Sequence, residues 1–279
     1  MIDIPAISSG LALGNDGIWY AGDEQAISYP TDGNRQVFEV ENHSFWFRHR
    51  NQCIVAVARE FPPPANTAIF DIGGGNGFVS MGLKNAGFEV VLIEPGPQGA
   101  LNAKHRGLSH VICGTTTSAN IQAGSLGAVG LFDVIEHLED DSEFLHSIRK
   151  LLQTGGRLYA TVPAYSWLWS SEDQAAGHFK RYQLKTLCKL LNSTGFEVNF
   201  STYFFMFLPL PIFVLRALPY RMGLAKAENT RKNVARDHGV DDSQLNRLMT
   251  SIHQHEVKQI AKGKQIPFGG SCLVVATAI

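Results

Sequence analysis

The sequence lacks a long apolar run, a cysteine pattern and an excess of charge of either sign. Its most apolar stretch, from Tyr203 to Leu215, is interrupted by Pro209 and Pro211 and ends at Arg216. A spanning helix needs roughly 20 apolar residues, so no membrane span is expected. The four cysteines, Cys53, Cys113, Cys188 and Cys272, stand far apart with no CxxC pair. That spacing argues against a disulfide scaffold or a structural zinc site and for reduced thiols in a cytoplasmic protein. Lys and Arg total 24 against 25 Asp and Glu, which leaves no basic footprint for a nucleic-acid backbone, and no nucleic-acid partner is expected. No basic residue precedes Arg35, so the start lacks the positive region of a secretory signal.

What is present is an ordinary globular composition, 44% hydrophobic over 279 residues, enough for one elaborated domain. Residues 1 to about 36 are rich in Gly, Asp, Ser and Pro without a sustained period and read as irregular. Residues 36–60 mix aromatic and aliphatic side chains with charges, as helices packed on a core do. Beyond Pro62, Pro63 and Pro64, short apolar runs (67–72, 89–93, 110–113, 128–133, 157–162 and 197–203) alternate with helix-like segments (78–86, 141–152 and 183–194). Each such helix closes on glycine, at Gly87, at Gly155 and Gly156, and at Gly195. This alternation predicts a parallel sheet with helices on both faces. A last apolar run, 271–277, follows a polar segment, 226–242, and an amphipathic helix from about Ser243 to Ala261. Leu245, Leu248, Met249, Ile252 and Ile260 share one face of that helix.

The informative stretch is Ala68-Ile-Phe-Asp-Ile-Gly-Gly-Gly-Asn-Gly-Phe78: a strand, then Asp71, then Gly73, Gly74, Gly75 and Gly77, then a helix. Glycines there permit a tight turn and close backbone approach to a ligand, with amides aimed from a helix start. The dinucleotide fingerprint GxGxxG needs Gly or Ala at position 78, where Phe78 stands. The next strand ends in Ile93-Glu94-Pro95, which places an acid 23 residues after Asp71. An ionised carboxylate only accepts hydrogen bonds, so Glu94 suits the two hydroxyls of a ribose. Glycines and acid project from the same sheet edge, where open α/β sheets bind ligands.

With these elements the sequence resembles the class I S-adenosylmethionine-dependent methyltransferases. The segments Phe132-Asp-Val-Ile-Glu-His-Leu138 and Leu152-Gln-Thr-Gly-Gly-Arg-Leu158 extend the match over about residues 66–165. The resemblance implies S-adenosylmethionine as cofactor and a Rossmann-like α/β sheet of seven strands, the last antiparallel. It implies an N-terminal irregular segment and helical cap (1–65), a cofactor-binding core (66–203), a helical insertion or lid (204–266) and the final strand (267–279). It places Asp71, Gly73, Gly74, Gly75, Gly77, Asp133 and Val134 around the cofactor, with Glu94 on the ribose and Pro95 beside the adenine. The acid that many members carry after the third strand is replaced by Cys113-Gly-Thr-Thr-Thr117, so the adenine contact falls to a threonine hydroxyl such as Thr115. Shorter segments, Phe45-Trp-Phe-Arg-His-Arg-Asn51, Gly177-His-Phe-Lys-Arg-Tyr182 and Pro267-Phe-Gly-Gly-Ser271, resemble a bacterial subgroup associated with lipid-linked or cell-surface glycan metabolism.

The expected reaction is methyl transfer to a small or lipid-linked acceptor, at oxygen. A neutral acceptor must lose a proton, which calls for a base near the fourth core strand. Asp133, Glu136, His137 and His178 fall there, and three readings stay open. His137 or His178 is a base, assisted by Asp133; the four residues bind a divalent metal; or Glu136 and His137 merely cap and pack a helix start. Arg50 could hold the cofactor carboxylate, and Arg181 a phosphate-bearing acceptor. The stretch from Tyr203 to Leu215 reads as a buried lid, a homodimer contact or a peripheral membrane contact. Rival functions are a nicotinamide-dependent reductase on a similar sheet and a cofactor-binding protein without catalysis.

Overall fold

In the computed structural model, residues 2–22, 38, 40–224 and 244–279 are described, with side chains of 244–250 excepted. The apolar runs become strands β3 Ile69–Ile72, β4 Val90–Glu94, β5 His110–Cys113, β6 Leu126–Phe132, β7 Leu152–Pro163, β8 Phe196–Phe204 and β9 Ser271–Ala278. Two more precede them, β1 Leu11–Leu13 and β2 Trp19–Ala21. All nine form one sheet in the order β1-β2-β5-β4-β3-β6-β7-β9-β8. Pairing is parallel from β2 through β7, and β9 lies antiparallel between β7 and β8. The chain leaves β3 in one direction through β4 and β5 and returns on the other side through β6. That reversal opens a crevice at the carboxyl ends of β3 and β6.

The expectation of seven strands falls short by two, and residues 1–36 are not irregular throughout. Leu11 pairs with Ala21 and Leu13 with Trp19, and the connecting turn is closed by Gly14 N–H donating to the Ile18 carbonyl (2.8 Å). Three-residue strands are too short to show alternation, and the turn residues dominate the composition. Ile18 is fully buried against Ala100, Ala103 and Leu108, which fastens the hairpin to the edge of the sheet. The second half of residues 1–36, from 23 on, lies outside the described residues.

The sheet is buried on both sides, as parallel strands are. One face packs under Leu145 and Ile148 of the helix Asp141–Leu151 and Leu187 and Leu191 of the helix Leu184–Ser193. The other packs under Cys53, Ile54 and Val57 of the helix Phe45–Glu60 and Val79 and Leu83 of the helix Phe78–Asn85. Each such aliphatic side chain contributes about 1.5–3 kcal/mol through burial. Ser44 starts the Phe45–Glu60 helix by accepting the Trp46 amide at 3.2 Å. Gly155 and Gly156, expected as a helix stop, lie inside β7, which begins directly at Leu152.

The apolar stretch divides. Tyr203, Phe204 and Phe205 are buried, whereas Met206, Phe207, Leu210, Val214 and Leu215 are exposed, so a wholly buried lid is not what forms. Residues 209–221 run as a helix with a wide π-turn at Phe213–Ala217. Pro219 lacks an amide to donate back into that turn. The polar segment 226–242 and the side chains of Leu245, Leu248 and Met249 lie outside the described residues. The amphipathic helix spans Gln244–Ile260 and buries Ile260. Among the described residues no helix is long and apolar enough to cross a membrane.

Candidate active site

A cleft of about 760 Å³ occupies the crevice at the strand ends. Its floor is the loop after β3. Gly73 and Gly75 take φ of +71° and +55°, a left-handed backbone that glycine adopts without steric cost. A Cβ on Gly73 would stand 3.0 Å from Val134 Cγ2, and one on Gly74 2.8 Å from both Asp71 Oδ2 and Leu92 Cδ1. Gly77 departs from expectation: it does not line the cleft. It starts the next helix with φ +75° and packs on Ala103 and Leu108, where a Cβ would come within 2.9 and 2.8 Å.

Glu94 binds the loop to the next strand. Its two carboxylate oxygens accept the amides of Gly75 and Gly96, each at 2.8 Å. Pro95, Thr115 and Thr116 continue the same wall. Asp71 lies beneath the loop, 1% exposed. Ser80 Oγ donates to its Oδ2 at 2.6 Å, while Oδ1 has no hydrogen-bond partner among the described residues. Burial, opposed by the Ser80 bond, pushes its carboxyl up to about 6.

Asp133 follows β6 in a left-handed conformation, φ +58°, which costs a non-glycine residue of order 1–3 kcal/mol. Arg50 Nε pairs with its Oδ2 at 2.6 Å, and Thr161 Oγ1 donates to Oδ1 at 3.0 Å. Arg50 also donates to the Phe132 carbonyl at 2.7 Å and lies over the Trp46 ring. The four-residue metal set is therefore corrected: Asp133 is engaged by Arg50, and the atoms within 4.8 Å of one another belong to Glu136, His137 and His178. Nor does Asp133 open a helix with Glu136 and His137. The strained turn is followed by a single 3-10 turn, Ile135–His137.

The second loop of this pocket comes from the helix Ser171–Ala176, which stops at Gly177 with φ +79°. Phe179 N–H donates to the Glu136 carbonyl at 2.7 Å and joins the two loops. The rings of His137 and His178 meet edge to face at 4.8 Å. His178 Nδ1 lies 2.9 Å from Asp173 Oδ1, which also receives Arg181 Nε at 2.7 Å, and the Ser170 amide donates to Oδ2 at 2.9 Å. Burial pushes the Asp173 carboxyl up, but the bond from His178 and the charge of Arg181 outweigh it and hold it ionised below its usual range. Arg181, which from sequence reads equally as a surface arginine or as a contact to a phosphate-bearing acceptor, is committed to this carboxylate. Burial, aided by the His178 charge, lowers His137 to about 4 and keeps its ring neutral. Glu136 is fully buried with neither carboxyl oxygen hydrogen-bonded among the described residues. Burial first, then the Asp133 charge, pushes its pKa well up.

A family model described as a methyltransferase domain matches residues 45–199. The chain belongs to this methyltransferase family. It is a class I enzyme of the Rossmann-like α/β type, and S-adenosylmethionine is its cofactor. The methyltransferase is similar to the ubiquinone biosynthesis O-methyltransferase of Xanthomonas axonopodis pv. citri, with 28% identity over 105 residues, 36% of this chain and 44% of that one. The chain thus spans less than half the length of the curated relatives it matches. Among solved structures it is similar to phosphoethanolamine N-methyltransferase 2 of Haemonchus contortus in complex with S-adenosyl-L-methionine. That match has a TM-score of 0.53 and 16% identity, and covers 90% of this chain and 58% of that one. A Thermotoga maritima S-adenosylmethionine-dependent methyltransferase matches with a TM-score of 0.52 and 15% identity, covering 90% and 99%. At such identities the likeness is one of fold.

Of the residues expected at the site, Asp71, Gly73, Gly74, Gly75, Glu94, Pro95, Thr115, Asp133, Val134, Arg50, His137 and His178 all line the cleft. Sequence reasoning missed Trp46, Asn76 and Asp173. Asp173 carried a signal, because Ser170 and Asp173 form a capping box at the start of the helix that ends beside His178.

Proposed function

We propose that this methyltransferase acts on a hydroxyl of a small or lipid-linked acceptor, with His178 as the base that takes the hydroxyl proton. The observation that carries the reading is the His178–Asp173 pair, whose imidazole lines the cleft while its carboxylate is buried behind it. With Nδ1 committed to an ionised carboxylate, Nε2 is the nitrogen that accepts a proton, and Asp173 stabilises the imidazolium that results. When bound, the cofactor supplies a methyl group on a sulfonium, so the protein's remaining task is positioning. The similarity to an O-methyltransferase of ubiquinone biosynthesis supports oxygen as the acceptor atom.

The cleft fits the cofactor in two respects. The loop keeps its shape only with glycine at 73 and 74, where a Cβ would press on Val134 or on Asp71 and Leu92, and Asp71 Oδ1 offers a buried acceptor to an ammonium. We assign Gly73, Gly74, Gly75 and Asp71 to the methionine part, Glu94 to the ribose, and Pro95 and Thr115 to the adenine. An ammonium needs Asp71 ionised, and its pKa of about 6 makes binding expel a proton at lower pH. S-adenosylhomocysteine affinity, measured by titration calorimetry, should be flat above pH 6 and fall up to about tenfold per unit below it. A flat profile from pH 5 to 7 would remove Asp71 from the ammonium site.

One observation favours a second reading of the same pocket: the carboxyl of Glu136, without a hydrogen-bond partner among the described residues, lies beside two imidazoles, a donor set suited to a divalent transition metal. Methyl-labelled cofactor, offered with a panel of phenolic and polyprenyl-linked hydroxyl acceptors with and without a chelator, decides between them. Label transfer that survives the chelator is expected and supports the base. Transfer lost to the chelator and restored by Mn²⁺ would assign proton removal to a metal. The absence of transfer to any hydroxyl acceptor would overturn the hydroxyl reading.

A further inference from the structure

The exposed apolar side chains of this protein are gathered in one place. Of the twelve large hydrophobic residues exposed among the described residues, eight fall within residues 206–224. Leu210, Leu215 and Leu224 are 70%, 72% and 71% exposed, far more than a core-facing helix leaves open. Around them lie half-buried aromatic rings. Trp167 meets Phe213 edge to face at 5.5 Å, and the exposed Phe268 stacks near Trp167 and Tyr165. An apolar face rimmed by amphipathic aromatic rings is the composition of a membrane-interface element.

Charge selects the occupant. Between Glu197 and Glu228 the sequence has no acidic residue, and its basic residues are Arg216, Arg221 and Lys226. Arg216 reaches Glu172 at 3.7 Å, and Arg221 donates to the Trp167 carbonyl at 2.9 Å, so both guanidinium groups are held at the rim of the apolar face. A second copy of the chain docked through this face would bring four guanidinium groups to the seam against two carboxylates, one Glu172 from each copy. The segment that follows, 226–242, carries two valines and no larger apolar residue, so its composition does not match the face. We propose that residues 206–224 dock the protein on an anionic lipid bilayer, the apolar side chains entering the interface and Arg216 and Arg221 meeting lipid phosphates. The face adjoins the cleft through the helix Ser171–Ala176, whose Glu172 meets Arg216 and whose Asp173 holds His178.

The test is co-sedimentation of the full chain with phosphatidylcholine vesicles, with and without phosphatidylglycerol, in the absence of any methyl acceptor. Binding is expected on the phosphatidylglycerol vesicles and should weaken with salt. The double variant L210E/L215E should weaken it at least tenfold while S-adenosylhomocysteine affinity is unchanged. R216Q/R221Q should weaken it roughly 25-fold, at about fivefold for each basic residue near an anionic surface, and decides the matter should L210E/L215E fail to fold. The proposal is overturned if the wild-type chain binds neither vesicle, or if R216Q/R221Q binds both as wild type does. A concentration-dependent dimer dispersed by L210E/L215E would overturn it too, by giving the face to a second copy. None of these results depends on the acceptor hydroxyl, so the methyl-transfer reading stands or falls separately.

Discussion

Gly73→Val is expected to abolish S-adenosylhomocysteine binding, by more than 100-fold, in a chain that still folds. Valine at φ +71° carries backbone strain, and its Cβ would press on Val134 Cγ2 from 3.0 Å. The loop can relieve both only by rotating away from β6, which carries the Gly75 amide and its Glu94 partner out of register with the cleft. Strain of order 1–3 kcal/mol is small beside a typical folding stability of 5–15 kcal/mol. Gly87→Val is the matched control. Gly87 has φ +98° with open space around its Cβ position, so that variant should lose stability and keep the ligand. Binding within tenfold of wild type in Gly73→Val would reduce the glycine loop to a turn.

The second large effect belongs to His178. Its replacement by alanine should lower kcat by roughly 10²–10⁴, the usual worth of a general base, with cofactor affinity unchanged because His178 belongs to the loop after the helix Ser171–Ala176 and not to the glycine loop. Asp173→Asn tests the positioning role. It leaves the imidazole in place but removes the charge that stabilises imidazolium, and it also strips Arg181 of its partner. The expected outcome is a fall in kcat without a matching rise in KM, alongside a lower melting temperature. Turnover of His178→Ala within threefold of wild type would sink the base assignment and leave the His178–Asp173 pair structural.

Much of this fold was legible because its signals are local. The runs that became β3 through β9 are short apolar stretches set between polar or helix-like segments, and the Asp71–Gly75 loop with Glu94 announced the crevice. What was illegible depends on partners distant in the chain. The hairpin strands of three residues hold because Ile18 finds Ala103 and Leu108 and β2 pairs with β5, more than 80 positions later. Asp133 stands in sequence beside Glu136 and His137, yet Arg50, 83 positions earlier, draws it away. Gly77 and Gly75 look alike in sequence, but one packs on a helix while the other lines the cleft. Residue type announced that a ligand site was present; only the packing decided which members of each motif face it.

The insertion of β9 between β7 and β8 has a kinetic consequence. Residues 271–278 pair with β7 from Arg157↔Thr277 to Pro163↔Ser271, and with β8 along their other edge. β8 ends at Phe204, so the intervening chain of residues 205–270 must loop out and return before either ladder can close. Loop-closure entropy rises slowly with length but is spent before any of these hydrogen bonds forms. Non-local pairing of this kind makes folding slow. The pairs β3–β4, β4–β5 and β6–β7 can assemble from neighbouring strand–helix units, while β7 and β8 wait with open edges for their shared partner. Closing this edge, one strand beyond the β7 whose following segment carries His178, therefore spends loop-closure entropy across more than 100 residues between β7 and β9.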